Sequence, residues 1–310
     1  YQIRIYRLES VFYFQVKYHI HIHQLSYSLV LNIHLQFGHQ GIREKLVDNI
    51  TIVTAFYDIG RENWKYYSRG INTYFECFER LCQLENQIIV FSESKFKSKF
   101  DQIIENVKSD LIVVYQEKED IFDRELIDQI EDAQKHLQKR GGLCGNGHPP
   151  EYWCSEYVLV NYLKSYFCIS AIESGSHLND TVAWIDFGYL REQKQVPESK
   201  KWRYDFDDKI HLWNIQDIPD QVNVWRTIQS NQVYIQGCHI VCSKSKWYEL
   251  NRLMKEQLNY LLSQSLIDDD QTLLLLSYKA DSEQFSLHRE VIDYENLDWF
   301  FIFKYYNHLV

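Results

Sequence analysis

Only four prolines and eleven glycines occur among the 310 residues. That scarcity excludes collagen-like and proline-rich low-complexity architectures, and it leaves few points where regular structure must break. No stretch approaches the roughly 18 consecutive apolar residues of a membrane-spanning helix, and no secretory leader is expected. An excess of positive charge is also missing. Against 43 Asp and Glu stand 33 Lys and Arg, a formal net charge of −10. A broad nucleic-acid-binding surface is therefore not expected. The seven cysteines lack the even count of a disulfide framework. Scattered through apolar segments, they imply reduced thiols and a cytoplasmic location, with peripheral contact at the inner face of the membrane left open. The chain begins with Tyr1, and its one methionine is Met254, so its start is expected to be a fragment or an upstream extension.

What is present is an ordinary globular composition, 45% apolar and 25% charged, with 23 tyrosines. It is neither disordered nor fibrous. Residues 1–49 differ from the rest: crowded with Tyr, His, Gln and Ile, they read as an N-terminal extension outside the native domain or disordered. His19, His21 and His23 alternate within it. That spacing would put three imidazoles on one strand face, read here as a solvated face rather than a metal site.

From Ile50 onward the pattern is that of alternating strands and helices. Apolar, β-branched runs at Ile50–Phe56, Gln87–Phe91 and Asp110–Tyr115 read as buried strands. Between and after them, helical patterns cover 72–84 and 97–107, and a stripe runs through Phe122, Leu126, Ile130, Ala133 and Leu137. Such alternation predicts βαβ units and a mainly parallel sheet. The Gly- and Pro-rich run 140–150 lacks the Lys-Ser/Thr of a P-loop and reads as a lid or connector. One helix is predicted over 155–172, and antiparallel strands over 202–213 and 233–241. A helix after Ser243 is predicted to be capped by that hydroxyl, and a leucine-rich helix opens at Asp268–Gln271. Cys238 and Cys242 fall on one strand face without a second ligand pair, which argues against a structural zinc.

The strand Val182–Ile185 ends in a single carboxylate, Asp186, followed by Phe187 and Gly188. In an open α/β sheet the ligand crevice lies beyond the carboxyl ends of the strands, where an acid can hold a divalent metal and a diphosphate. Four segments then fall in order: Thr54–Arg61 after the first strand, Asp186, Gly237–His239, and Asp268–Gln271 at a helix start. That order resembles a GT-A type glycosyltransferase. Three stretches, Ile50–Arg61, Pro150–Asn161 and Trp184–Tyr189, resemble the HtrL/YibB family of bacterial proteins, over about residues 50–306, within a domain expected to span 50–308.

The family is associated with lipopolysaccharide core genes and regarded as glycosyltransferase-like. The resemblance therefore implies a single α/β, GT-A-like (Rossmann-like) domain, with a mainly parallel mixed sheet flanked by helices. Its implied partners are a nucleotide-sugar donor and a glycan acceptor. Thr54, Phe56, Tyr57, Asp58, Arg61, Asp186, Gly188 and Gln271 are the expected substrate contacts. Asp186 is the expected ligand for Mn²⁺ or Mg²⁺, and Asp269 or Asp270 the expected base.

Gly188 stands where many GT-A enzymes carry the second acid of Asp-x-Asp, which leaves open a diphosphate neutralised by Arg61 or lysines instead of a metal. Plainer roles stand beside these. Asp58 can cap the turn before Gly60, Arg61 can pair with a surface acid, Phe56 can be core, and one or two of Asp268–Asp270 can cap the helix. His239 and His288 read as structural. The competing functional reading is a non-catalytic carbohydrate- or partner-binding protein that keeps the fold; a third is another nucleotide-dependent transferase.

Overall fold

The computed structural model describes residues 50–107, 109–175, 178–289 and 299–307. The expected N-terminal extension and its three alternating histidines lie outside these. All the described residues belong to one compact unit.

Strand β1 (Ile50–Phe56) is buried along its whole length. Such a run suits a central strand covered on both faces. It lies between β2 (Gln87–Ser92) and β4 (Thr181–Ile185), parallel to both. β3 (Asp110–Tyr115) continues the sheet beyond β2, also parallel. On the other side β6 (His239–Ser243) runs antiparallel to β4 and to β5 (Ile210–Asn214), and β7 (Phe285–Arg289) pairs parallel with β5. The resulting order is β3-β2-β1-β4-β6-β5-β7. This is the mixed, mainly parallel sheet expected of a GT-A-like fold.

The chain winds outward from β1 to β3 and then returns to β4 on the other side of β1. The carboxyl ends of β1 and β4 therefore flank the topological switch point, where α/β sheets open a crevice.

Alternate strand residues feed two apolar layers. Val53, Ile89, Val182 and Trp184 pack on one face with α4 (Arg124–Arg140), α6 (Lys164–Glu173), α8 (Lys244–Ser263) and α9 (Asp270–Ala280). Ile52, Ile88, Ala183 and Ile185 pack on the other with α1 (Ile71–Leu81), α2 (Lys97–Ile104) and α10 (Ile302–Tyr305). The short helices α3 (Lys118–Ile121), α5 (Ser155–Tyr162) and α7 (Val224–Gln229) complete the set among the described residues.

Several expectations are corrected. The helix foreseen over 155–172 is two helices, α5 and α6, meeting at Leu163. No glycine or proline marks the break; it falls immediately before Lys164, whose buried contacts are described below. Of the strands foreseen in 202–213 only β5 exists, and of those in 233–241 only β6 with an isolated bridge from Asn214 to Ile235. The aromatics before β5 pack sideways: the Trp202 indole donates to the Tyr306 carbonyl at 2.6 Å. Ser243 sits at the N-terminus of α8, yet its hydroxyl donates to Asp208 Oδ1 at 2.6 Å and makes no cap.

Candidate functional site

A cleft of about 420 Å³ opens at the switch point. Its lining includes Phe56, Tyr57, Asp58 and Arg61 after β1, Asp186 and Gly188 after β4, and Asp269, Asp270 and Gln271 at the start of α9. Arg69, Tyr157, Lys164, Arg191 and Gly237 also line it, and the sequence reading missed the first four as site residues. Thr54 does not. It is fully buried in β1, and its hydroxyl has no hydrogen-bond partner. Its position two residues before the strand end keeps it in the sheet rather than at the mouth.

The floor is aromatic. Phe187 stacks on Phe78 at 4.4 Å and on Phe56 at 4.9 Å between ring centroids, and Tyr57 stacks on Phe167 at 5.7 Å. Phe56 and Tyr57 are therefore core residues with an edge in the cleft. Phe187 is anchored in one apolar layer and Trp184 in the other. The backbone of Asp186 is fixed between them, and its N–H donates to the Cys238 carbonyl at 2.9 Å.

Asp58 takes the local role. Its Oδ1 accepts the Gly60 N–H at 2.9 Å, and its Oδ2 faces Lys95 Nζ at 3.3 Å. Gly60 has φ +71°, a left-handed conformation that suits glycine at this turn.

The cleft lining carries three guanidinium groups. Arg61 donates to the Tyr67 carbonyl and to the Tyr74 hydroxyl, both at 2.9 Å, and its guanidinium lies 5.3 Å from the Trp64 ring centroid. Arg69 lies 5.2 Å from the Tyr74 ring and Arg191 4.4 Å from the Phe300 ring. Burial, and then the neighbouring charge of Arg69, disfavour the protonated form of Arg191. Among the described residues no carboxylate comes within salt-bridge distance of Arg61, Arg69 or Arg191. Arg61 therefore lacks the acid partner that the plainer sequence reading would give it.

Gly188 is hemmed in by this group. A Cβ there would stand 3.1 Å from the Tyr74 ring and 3.4 Å from the Arg69 guanidinium. An aspartate at 188 would need the Tyr74 ring to shift by a few tenths of an ångström.

Asp186, Asp269 and Asp270 also line the cleft with Lys164, and of these Asp270 and Lys164 are buried. Asp270 and Asp186 share one cation: Lys164 Nζ lies 2.8 Å from Asp270 Oδ2, 3.0 Å from Asp186 Oδ1 and 2.8 Å from the Gly237 carbonyl. Asp186 Oδ1 also accepts from the Trp184 indole at 2.8 Å. Gly237 has no room for a side chain, because a Cβ there would fall 2.0 Å from Asp270 Oδ2.

Asp269 caps α9, accepting the Gln271 N–H at 3.0 Å. Asp268 accepts from the Thr272 hydroxyl at 2.7 Å. Burial, and then repulsion from Asp268 and Asp270, push the Asp269 carboxyl well above the usual carboxylate range. Burial and then Glu151 raise Asp268 to about 7. Glu151, itself buried beneath this cluster, is raised to about 8 by burial and then by Asp269. A carboxyl held up in this way keeps its proton to higher pH than an ordinary one, and its ionised form is the stronger base.

The donor set does not fit a protein-held divalent ion. Among the described residues no three His, Cys, Asp or Glu side chains come together as a metal-ligating group, and the oxygens of Asp186 and Asp270 that face each other are bridged by an ammonium. His239 is buried, with its pKa lowered to about 3 by burial and then by the Lys164 charge. His288, lowered to about 4, contacts His211 at 2.8 Å. Both are packing residues. The Gly-rich connector 140–150 contributes nothing to the cleft lining; His148 from it stacks on Tyr66 at 3.7 Å. No helix among the described residues is long and apolar enough to cross a membrane.

Lys164 left one faint signal, a lone charge within the apolar run from Val158 to Ile169. Arg191 follows the Asp186 strand end by five residues. Arg69 left none.

Two solved structures resemble the fold: mouse xyloside xylosyltransferase 1 in its apo form, 8% identical over 77% of this chain and 84% of that one at a TM-score of 0.38, and 4-diphosphocytidyl-2C-methyl-D-erythritolsynthase from Anaerococcus prevotii DSM 20548, 11% identical over 81% and 89% at a TM-score of 0.38. Similarity at that level says nothing about the chemistry of the cleft. Sequence similarity is closer. Protein HtrL of Escherichia coli (strain K12) is 34% identical over 254 residues, which is 77% of this chain and 87% of that protein. Residues 48–308 match the family described as a bacterial protein of unknown function, HtrL_YibB. The resemblance carried by the three sequence stretches thus extends over the whole of the sheet and its helices, and the chain belongs to the HtrL/YibB family.

Proposed function

We propose that this protein is a glycosyltransferase that moves a sugar from a nucleotide-diphosphate donor to a carbohydrate acceptor. The observation that supports it best is the charged lining of the cleft. Three guanidinium groups without acid partners among the described residues line it, together with a half-buried carboxyl whose pKa is raised. Guanidinium groups suit a diphosphate, because their planar forks bond its oxygens in pairs and stay charged. As the bond from the anomeric carbon to the diphosphate oxygen breaks, its electron pair goes to the leaving group, and preorganised cations stabilise that charge. The acceptor oxygen bonds to the anomeric carbon and its proton passes to Asp269 in its ionised form. A single displacement of this kind inverts the centre.

Asp269 is preferred to Asp270 as the base, because Asp270 is already bound to Lys164. The acceptor we propose is a lipopolysaccharide or other surface glycan, an assignment that rests on the family resemblance.

The test is titration of the protein with UDP, GDP, CMP and their sugars, with and without Mn²⁺. One nucleoside diphosphate should saturate the site. Arg69→Ala and Arg191→Ala should each weaken it by about tenfold or more, the scale of a hydrogen bond to a charged group. Asp269→Asn keeps a good helix cap and should lower transfer by about 10²-fold, the usual cost of losing a general base. Failure of every nucleotide to bind would refute the proposal. Tight binding of a nucleotide sugar without any turnover would favour the carbohydrate-binding alternative.

A further inference from the structure

The meeting point of β4, the segment before β6 and the start of α9 has an unusual occupant. In a parallel sheet, two carboxylates and a carbonyl converging beyond the strand ends make an oxygen set of the kind a hard divalent cation uses. Here the centre of that set is Lys164 Nζ, reached from the first residue of α6. Its three acceptors, Asp270 Oδ2, Asp186 Oδ1 and the Gly237 carbonyl, come from three separate segments at 2.8, 3.0 and 2.8 Å. An ammonium has three donors, so each is used. The spacing matches N–H···O bonds rather than the roughly 2.0–2.1 Å of magnesium coordination.

The cation and Asp270 are buried, while the Asp186 side chain, 38% exposed, faces the cleft. The side chains of Lys164 and Asp270 are 4% and 3% exposed. A charge so buried is retained only when paired, and the packing enforces the pairing. Gly237 leaves its Cβ space to the Asp270 carboxylate, which could not stay beside any other residue there. The helix break at Leu163 sets Lys164 at the start of its own helix. Asp186 is steadied independently by the Trp184 indole.

We propose that Lys164 is the resident cation of this cleft. It occupies the place of a divalent metal, holds Asp186 and Asp270 together against their mutual repulsion, and makes nucleotide binding independent of added metal. Lys164 is a positioning residue: its donors are spent on protein oxygens, and the ligand's charge falls to the arginines. The nucleotide clause rests on the function proposed above; the cation clause does not. It follows that removing the ammonium leaves two uncompensated carboxylates around a space that a divalent ion can enter.

The experiment is Mn²⁺ binding to the intact chain without nucleotide, followed by electron paramagnetic resonance, for the wild type and Lys164→Ala. The wild type should bind no stoichiometric Mn²⁺ at about 0.1 mM. Lys164→Ala should bind about one per chain, and its melting temperature, lowered in EDTA, should rise with Mn²⁺ concentration as a ligand of the native state requires. Stoichiometric Mn²⁺ on the wild type would overturn the proposal, as would a folded Lys164→Ala that takes up no more Mn²⁺ than the wild type. If Lys164→Ala does not fold, the wild-type titration decides alone. A second arm compares nucleoside diphosphate affinity of the wild type in EDTA and in Mn²⁺. Agreement within about twofold supports metal independence, and a tenfold gain with Mn²⁺, about 1.4 kcal/mol, overturns it. If no nucleotide binds in either condition, the transferase reading fails, while the cation assignment still stands or falls on the Mn²⁺ uptake of the apo chain.

Discussion

Replacing Glu151 by glutamine removes one ionisable group from beneath the acid wall. Burial, and then the charge of Asp269, raise this carboxyl from an ordinary 4.5 to about 8, against the opposing pull of Arg61. In the unfolded chain it titrates near its ordinary value. Between the two values the native protein keeps a proton that the unfolded chain has released, so stability falls as pH rises. This contribution is complete below about pH 4.5 and lost above about pH 8. At about 1.4 kcal/mol per pKa unit the full span is worth at most about 5 kcal/mol, a large part of the stability of a typical domain. Asp268, raised to about 7 by burial and then by Glu151 itself, adds a slope of the same sign.

Glutamine keeps the shape of the side chain and carries no charge. It should abolish the first slope and reduce the second. Urea unfolding at intervals from about pH 5 to about pH 9 would measure both. The wild type should lose several kcal/mol across that range and Glu151→Gln less than half as much, with the variant the more stable protein at alkaline pH. Parallel curves for the two proteins would mean that Glu151 is ionised throughout in the native state, and the reasoning about the buried cluster would be wrong.

Gly237→Ala should lower stability by about 2–4 kcal/mol, because its Cβ displaces Asp270 from Lys164 and leaves a buried charge less well paired; a thermal melt indistinguishable from the wild type would show that the carboxylate moves aside freely. Thr54→Val removes a buried hydroxyl that has no partner and should stabilise by about 1 kcal/mol with unchanged nucleotide affinity, whereas weaker nucleotide binding would return Thr54 to the site. We also propose that residues 1–49 are dispensable: a chain starting near Val47 should melt cooperatively, and aggregation of that chain alone would show that the segment belongs to the core.

The sheet was legible where local pattern and final environment agree. Ile50–Phe56 is continuous, apolar and β-branched because it is covered on both faces, so the pattern states its burial directly. Residues 202–213 misled because alternating aromatic and charged residues also suit an irregular segment whose rings pack on distant partners, as Trp202 does on Tyr306 and Phe303. The acid-rich start of α9 was conspicuous because three adjacent carboxylates exceed what capping needs. Their destinations were not visible. Asp269 caps, Asp268 turns to Thr272, and Asp270 meets a lysine 106 residues earlier. Lys164 hid within a helical pattern, since a single lysine beside apolar residues reads as a solvated position until its partners are known. Gly237 hid in the same way: the reason for glycine is the carboxylate above it, not its own backbone angle.

The same arrangement explains how a cleft with so many acids can take an anionic ligand. Asp186, Asp269 and Asp270 all line it, and three full negative charges there would repel a diphosphate strongly at short range. The lysine offsets one of the Asp186 and Asp270 charges. Burial and the neighbouring acids favour the protonated form of Asp269. The acids of the lining therefore carry less than their formal charge before a ligand arrives, while Arg61, Arg69 and Arg191 line the same cleft. A bound diphosphate would spend that positive potential, and the field that favoured an ionised Asp269 would weaken further. That lowers the fraction of Asp269 that is ionised and able to take the acceptor proton. In the transferase we propose, base catalysis by Asp269 would therefore grow as pH rises, since only its ionised form can accept the acceptor proton.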